Sequence, residues 1–271
     1  VGSVLNYGVE AKLSTVNVSA ANFSWRTDFN IAFNRNRIIS LGGYSEDAVG
    51  GGTNDTRVVE GGSIGTFYMV PVAGIDSETG LPVYITPEGG TTTTYSQDLR
   101  VPVGKGIPDA IGGLNNTFTY KNWTLSTLLV FSIGADVYNH SGKYQQTAWA
   151  NGGNFWNFTP QIYDRWVQPG DISKLPRLTL DRTTYSGLEV DYWNTSLWVE
   201  DASYLRVRNI TLGYNVNRKF VERIRLSSLS VSFIGTNLFT FTKFSGLDPE
   251  VARDFSDVTD RNMSVNTTYL T

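Results

Sequence analysis

The sequence contains no cysteine and a single histidine, His140. The first absence excludes disulfides, thiolate zinc sites, iron–sulfur clusters and thiol nucleophiles together. The second removes His-rich metal centres and leaves any Ser-His-Asp triad dependent on one residue. Charge is sparse as well, at 17% of 271 residues, below the roughly 25% of soluble domains. The 22 basic and 25 acidic residues leave a formal charge of −3. Without basic blocks, that balance argues against nucleic acid as a partner. Long apolar runs are missing: the longest clean one is Leu128-Leu129-Val130-Phe131, far short of the ~18 residues of a spanning helix. No basic-then-apolar segment opens the chain at Val1. A helical membrane protein is excluded. A membrane β-barrel is not, because its strands carry only every-other-residue hydrophobicity.

What is present points to β structure: 13% aromatics, 27 Gly and several alternating segments. Trp25, Thr27, Phe29, Ile31 and Phe33 share one parity, against Ser24, Arg26, Asp28, Asn30 and Asn34 on the other. Trp123, Leu125, Leu129, Phe131 and Ile133 repeat this against Thr124, Ser126, Ser132 and Asp136, interrupted on the polar side by Leu128 and Val130. Val9, Ala11 and Leu13 oppose Glu10, Lys12 and Ser14, and Leu229, Val231 and Phe233 oppose Ser230 and Ser232. In Tyr204–Val216 the parity slips between Val207 and Ile210, which predicts a bulge near Asn209. Each strand alone suits a soluble sandwich as well as a barrel.

The spacing of turns separates the two. Six strands are predicted at Gly2–Val18, Phe23–Leu41, Gly113–Tyr120, Trp123–Tyr138, Ser203–Val216 and Ser228–Phe244. Short connections (Ser19–Asn22, Lys121-Asn122 and Asn217–Ser227) alternate with long ones at Gly42–Gly112, Asn139–Ala202 and Ser245 onward. That rhythm is the one of an up-and-down outer-membrane barrel, with tight periplasmic turns and long extracellular loops. Six strands leave two open edges, whose unpaired N–H and C=O groups are prohibitive in lipid. The chain is therefore expected to be a piece of a larger barrel, open at Gly2–Val18 and Ser228–Phe244. Phe29, Ile31, Phe33, Leu125, Leu129, Phe131, Val231 and Phe233 are expected to face lipid, opposite Asn30, Ser126 and Ser232.

Several blocks carry a resemblance. Trp198-Val199-Glu200-Asp201-Ala202-Ser203-Tyr204-Leu205-Arg206-Val207-Arg208-Asn209-Ile210-Thr211-Leu212-Gly213-Tyr214 is similar to a signature of SusC/RagA-type TonB-linked outer-membrane proteins. So is Gly235-Thr236-Asn237-Leu238-Phe239-Thr240-Phe241-Thr242-Lys243-Phe244-Ser245-Gly246-Leu247-Asp248-Pro249-Glu250. Blocks at Gly2–Glu10, Phe23–Ile38, Gly74–Tyr84 and Gly113–Asn122 resemble the same family in the same order. The resemblance implies the C-terminal part of a TonB-dependent transporter barrel of about 22 strands, in the bacterial outer membrane. The plug domain, the TonB-contact segment and the early strands are expected outside this chain, as is the closing strand beyond Tyr269-Leu270-Thr271. It also implies a SusD-like surface lipoprotein as a lid and the TonB complex as energy source, with no cofactor.

Candidate sites are few, and each has a plain structural alternative. Asp76 and Glu78, in Asp76-Ser77-Glu78-Thr79-Gly80, have the carboxylate spacing of a calcium loop but lack its later ligands; a Gly-closed turn explains the same residues. Asp248-Pro249-Glu250 is either an acidic patch or a turn set by Pro249. The connection Asn139–Ala202 holds Trp149, Trp156, Tyr163, Trp166, Tyr185, Tyr192, Trp193 and Trp198. Exposed aromatics suit sugar faces or apolar peptide side chains, and equally a loop packed on itself. Trp149, Trp156, Tyr163, Trp166, Tyr185 and Trp193 are the candidates for contact with substrate or lid. Glu10, Lys12, Arg26, Asp28, Arg206 and Arg208 are expected on the lumen side. No nucleophile–base–orienter set is visible, so an enzyme is not expected. Three readings remain: a nutrient importer for oligosaccharides or peptides, a structural SusC-like scaffold subunit of a larger outer-membrane complex, or a soluble β-rich binding module.

Overall fold

The computed structural model describes residues 2–44, 56–146, 157–178 and 195–250. Fourteen strands, numbered here in chain order, form among them. Six build the main sheet: β1 (Ser3–Ser19), β2 (Phe23–Ser40), β9 (Ala110–Tyr120), β10 (Trp123–Ile133), β13 (Tyr204–Asn215) and β14 (Ser230–Thr242). They pair antiparallel in the order β1-β2-β9-β10-β13-β14, leaving β1 and β14 as open edges. This is the up-and-down arrangement expected from the sequence, with boundaries within a few residues.

Register turns the parity argument into geometry. Directly paired residues share a face, and the row Leu13–Phe29–Leu114–Leu129–Val207–Phe239 is apolar across all six strands. So is the next row, Ala11–Ile31–Gly112–Phe131–Leu205–Phe241. Near the tight turns, Phe23, Tyr120, Trp123 and Tyr214 line up as an aromatic row, with Trp123 and Tyr214 rings 4.5 Å apart. One outward row is polar, Thr15–Thr27–Asn116–Thr127. There the Asn116 amide oxygen accepts from Thr27 Oγ1 at 2.7 Å and from the Trp25 indole N–H at 3.0 Å.

The opposite face carries Lys12, Asn30 and Arg206 in one row and Ser14, Asp28, Asn115 and Asn209 near the next. Ser14 Oγ donates to Asp28 at 2.6 Å. Leu128 and Val130 lie on this face too, opposite Asn115 and Gly113. Among the described residues no second sheet covers the apolar face: Phe233, Phe239 and Phe241 are exposed, as are Leu13 and Val231.

The expected bulge lies at Arg208. Val207 pairs with Leu129 and Asn209 with Leu128, so Arg208 is the extra residue against β10. β14 answers with Asn237 and Leu238 between its partners of Asn209 and Val207, and Asn237 takes a left-handed φ of 51°. Without the extra residue, Ile210, Leu212 and Tyr214 would turn onto the polar face. The bulge keeps them with Leu205 and Val207.

One expectation needs correction. Trp123–Tyr138 is not one strand: Gly134, with a φ of 78°, ends β10. The chain then forms β11 (Asp136–Tyr138), which pairs with β12 (Val199–Asp201) outside the main sheet. The long connections carry small sheets of their own. β3 (Thr56–Arg57), β4 (Thr66–Met69) and β8 (Val101–Lys105) make one small sheet. β5 (Val72–Ile75), β6 (Pro82–Ile85) and β7 (Thr91–Thr92) make another. Met69, Val70, Tyr84, Leu175 and Trp198 are buried there, so the chain's packed core sits beyond one end of the main sheet.

Candidate functional site

The short connections share one end of the sheet and are tied together. Lys121 N–H donates to Asn22 O at 2.9 Å, Asn215 N–H to Asn122 O at 2.9 Å, and Val216 N–H to Leu229 O at 2.9 Å. Antiparallel order returns every long connection to the opposite end. That end is the candidate site, a layer built from three connections that grip one another.

The first connection grips the second through a turn. Asp76 Oδ1 accepts from Thr79 N–H and Thr79 Oγ1, both at 2.7 Å, and from Glu78 N–H at 3.1 Å. These bonds, Thr79's hydroxyl foremost, hold the Asp76 carboxyl below its ordinary value. Gly80 closes the turn with a φ of 70° and donates to Asp76 O at 2.8 Å. The segment is thus a Gly-closed turn, and among the described residues no three His, Cys, Asp or Glu side chains gather as metal ligands. Trp166 lies on this turn. Its indole N–H donates to Ser77 O at 2.8 Å, and a Cβ on Gly80 would come within 2.5 Å of its ring. A second junction joins Val70 to Thr195 in a parallel bridge, with Ser196 N–H donating to Val70 O at 3.0 Å.

Of the aromatic candidates, then, Trp166 is buried between connections, while Tyr163, on the turn Pro160–Asp164, is 79% exposed. Trp149, Trp156, Tyr185 and Trp193 lie outside the described residues. Trp198 is buried beside Leu175.

Sequence reasoning missed what Asp248 and Glu250 do. Arg206 Nη2 meets Asp248 Oδ1 at 2.5 Å, and its Nη1 meets Glu250 Oε2 at 2.6 Å. Arg206 Nε donates to Thr240 Oγ1 at 2.9 Å. Arg208 Nη2 meets Glu250 Oε1 at 2.6 Å, and its Nη1 donates to Asn237 Oδ1 at 3.0 Å. Six residues back from Arg206, the Glu200 carboxylate accepts from Ser245 N–H at 2.7 Å, Ser245 Oγ at 2.8 Å and Asn139 Nδ2 at 2.8 Å. The two most recognisable sequence blocks therefore bind each other. A signal was available: two Arg in one block and two carboxylates in the next, each pair spaced by two.

A further carboxylate pair sits where β11 meets β12. Asp136 and Asp201 are register partners, and like charges directly opposite repel. Burial first, with the Asp201 charge adding, pushes the Asp136 carboxyl above its ordinary value, against the pull of the Lys105 N–H that it accepts at 3.0 Å. Hydrogen bonds from Ser203 hold Asp201 below its own. Nearby, Asp109 pairs with Arg35 at 2.8 Å and with Lys105.

No protein-family model matches the chain. Among curated proteins, it is 30% identical over 270 residues to the TonB-dependent receptor P26 of Formosa agariphila, covering 92% of this chain and 26% of that one. It is 27% identical over 265 residues to the TonB-dependent receptor SusC of Bacteroides thetaiotaomicron, covering 93% of this chain and 24% of that protein. Among solved structures, the RagAB peptide transporter superposes with a TM-score of 0.74 at 24% identity, over 92% of this chain and 27% of that one. The RagAB peptide importer in the 'closed-closed' state does so at 0.76, again at 24% identity and with the same coverage of both chains. The chain spans about a quarter of the length of the relatives it matches. The resemblance to SusC/RagA-type TonB-linked proteins thus extends over nearly the whole chain, and the strand arrangement is that of their barrels.

Proposed function

We propose, from the premise that this chain is a portion of a SusC/RagA-type barrel, that it serves nutrient import across a bacterial outer membrane. The carrying observation is the two-faced sheet. Its outward face runs from the aromatic row at Phe23 to Phe33, and the next outward residue is Arg35. At about 3.4 Å per residue and a strand tilt of about 40°, that run covers about 26 Å, the height of the apolar band of membrane barrels. The other face carries Glu10, Lys12, Arg26, Asp28 and Arg206, as a wet lumen requires. Register supports this orientation, with Phe29, Ile31, Leu125, Leu129, Phe131, Val231 and Phe233 on the lipid side.

The cargo in this reading is an oligosaccharide or a peptide. The names of the relatives support import, and the RagAB structures, described as a peptide transporter and importer, favour peptide as one class. The energy comes from TonB through a plug domain, and a SusD-like lipoprotein covers the layer of long connections. Tyr163, exposed on that layer, is the aromatic proposed to meet cargo or lid, together with Trp149, Trp156, Tyr185 and Trp193.

The test uses the full-length protein in its own cells. Uptake of a fluorescein-labelled casein digest and of fluorescein-labelled maltoheptaose is measured with and without a protonophore. Energy-dependent uptake of one probe, lost on deletion of the gene and restored by complementation, supports import. Normal outer-membrane complexes lost on deletion, without any change in uptake, would favour the scaffold reading instead.

A further inference from the structure

We infer that Glu200, Arg206 and Arg208 are positioning residues that hold Ser245–Glu250 as a fixed shelf on the lumen side of the extracellular mouth. This rests on the barrel reading above and adds a division of labour within it: one stretch of the long-connection layer is a static wall of the entry path.

The residues divide into two anchors. Ser245, at the shelf's start, is held by both carboxylate oxygens of Glu200, which also binds Asn139 of the preceding connection. Asp248 and Glu250, at its far end, are held by the two arginines. Arg206 sits on the polar face, in the row of Lys12 and Asn30, and the bulge at Arg208 brings the second guanidinium to the same Glu250. Asp248 Oδ1 also accepts from Glu250 N–H at 2.8 Å, which stiffens the turn around Pro249.

Static rather than swinging follows from burial. The Arg206 side chain is 6% exposed and that of Asp248 13%. Opening the clasp would strip a buried guanidinium of both carboxylates, which is strongly destabilising, whereas the closed clasp balances two positive with two negative charges. Arg–carboxylate pairs of this kind fix direction as well as distance. Leu247, between the anchors, is 82% exposed, so within the described residues a label there is free of packing contacts and reports the motion of the shelf itself.

The experiment places a nitroxide on Leu247→Cys in the full-length protein, in a background where cysteines outside this chain have been replaced. Spectra are read for the parent, R208E, E250R and the double variant R208E/E250R. The shelf predicts in the parent a label showing only its own side-chain motion, added backbone motion in each single variant, and a return to the parent spectrum in the double variant. Uptake of the fluorescein-labelled casein digest should follow, with half-saturation raised several-fold in the singles, the maximal rate kept, and both restored in the double. Singles with the spectrum of the parent would overturn the proposal, and so would a double variant as mobile as the single variants. If charge reversal blocks membrane insertion, R208Q and E250Q replace it and are judged by the same mobility. A parent that takes up neither casein digest nor maltoheptaose refutes import, yet the label still reports on the clasp.

Discussion

Trp166 donates its indole N–H to the carbonyl oxygen of Ser77 at 2.8 Å across 89 residues of sequence, and Gly80 lies directly beneath its ring. One side chain thereby fastens two of the long connections. It works only because position 80 has no side chain and tolerates a φ of 70°.

Trp166→Ala should therefore loosen the layer, at a cost of about 3–5 kcal/mol for an aromatic truncated in a packed site. Gly80→Ala should loosen it too, since its methyl meets the ring and its backbone is strained. Limited proteolysis of intact cells reads both, through cleavage within the layer while the barrel stays folded. Wild-type resistance in both variants would show that the two connections do not depend on this contact. If a lid covers this layer as proposed, its retention should fall in Trp156→Ala and Trp193→Ala and hold in a control within Arg218–Arg225; loss confined to the control would overturn the assigned end.

Acid should act on the β11–β12 pair in an unusual direction. Asp136 is held above its ordinary 3.8, so its ionised form opposes folding, fully above the raised value, and acidification toward 3.8 relieves that opposition. Asp201 is held below 3.8, so its stabilisation is lost only when pH falls further. Mild acid should thus make this junction more resistant to protease. Asp136→Asn, which retains an oxygen for the Lys105 N–H, should be more resistant than wild type at neutral pH and lose the mild-acid gain. A variant more labile at neutral pH would contradict the sign.

Deleting Arg208 is predicted to abolish barrel assembly, whereas Arg208→Ala should assemble. The deletion would carry Ile210, Leu212 and Tyr214 onto the polar face and polar Thr211 outward. Heat-modifiable migration of the full-length protein on gels distinguishes the two. A folded deletion variant would mean that the bulge does not set the parity.

The six long strands were legible because a surface between lipid and water imposes alternation residue by residue, as in Trp25–Phe33 and Leu125–Ile133. The slip that betrayed the bulge was legible for the same reason. The loop layer was not. Its strands are two to five residues long, too short for periodicity, and its contacts join distant segments such as Val70 with Thr195. Gly134 ends the strand although the apolar pattern continues to Tyr138, because Val137 is buried in a different sheet. The Arg206–Asp248 clasp joins residues 42 apart, so its only trace in the sequence is the matched spacing of two Arg and two carboxylates in separate blocks, which local periodicity does not connect.

The orientation of the two faces decides the whole account, and quenching by lipid measures it most directly. Single cysteines at Phe29, Leu129 and Phe233, and at Asp28, Ser126 and Ser232, are labelled with a bimane in the full-length protein and reconstituted into brominated phospholipid. The barrel reading predicts strong quenching for the first three and little for the second three. Equal quenching of both sets, or quenching confined to Asp28, Ser126 and Ser232, would contradict it.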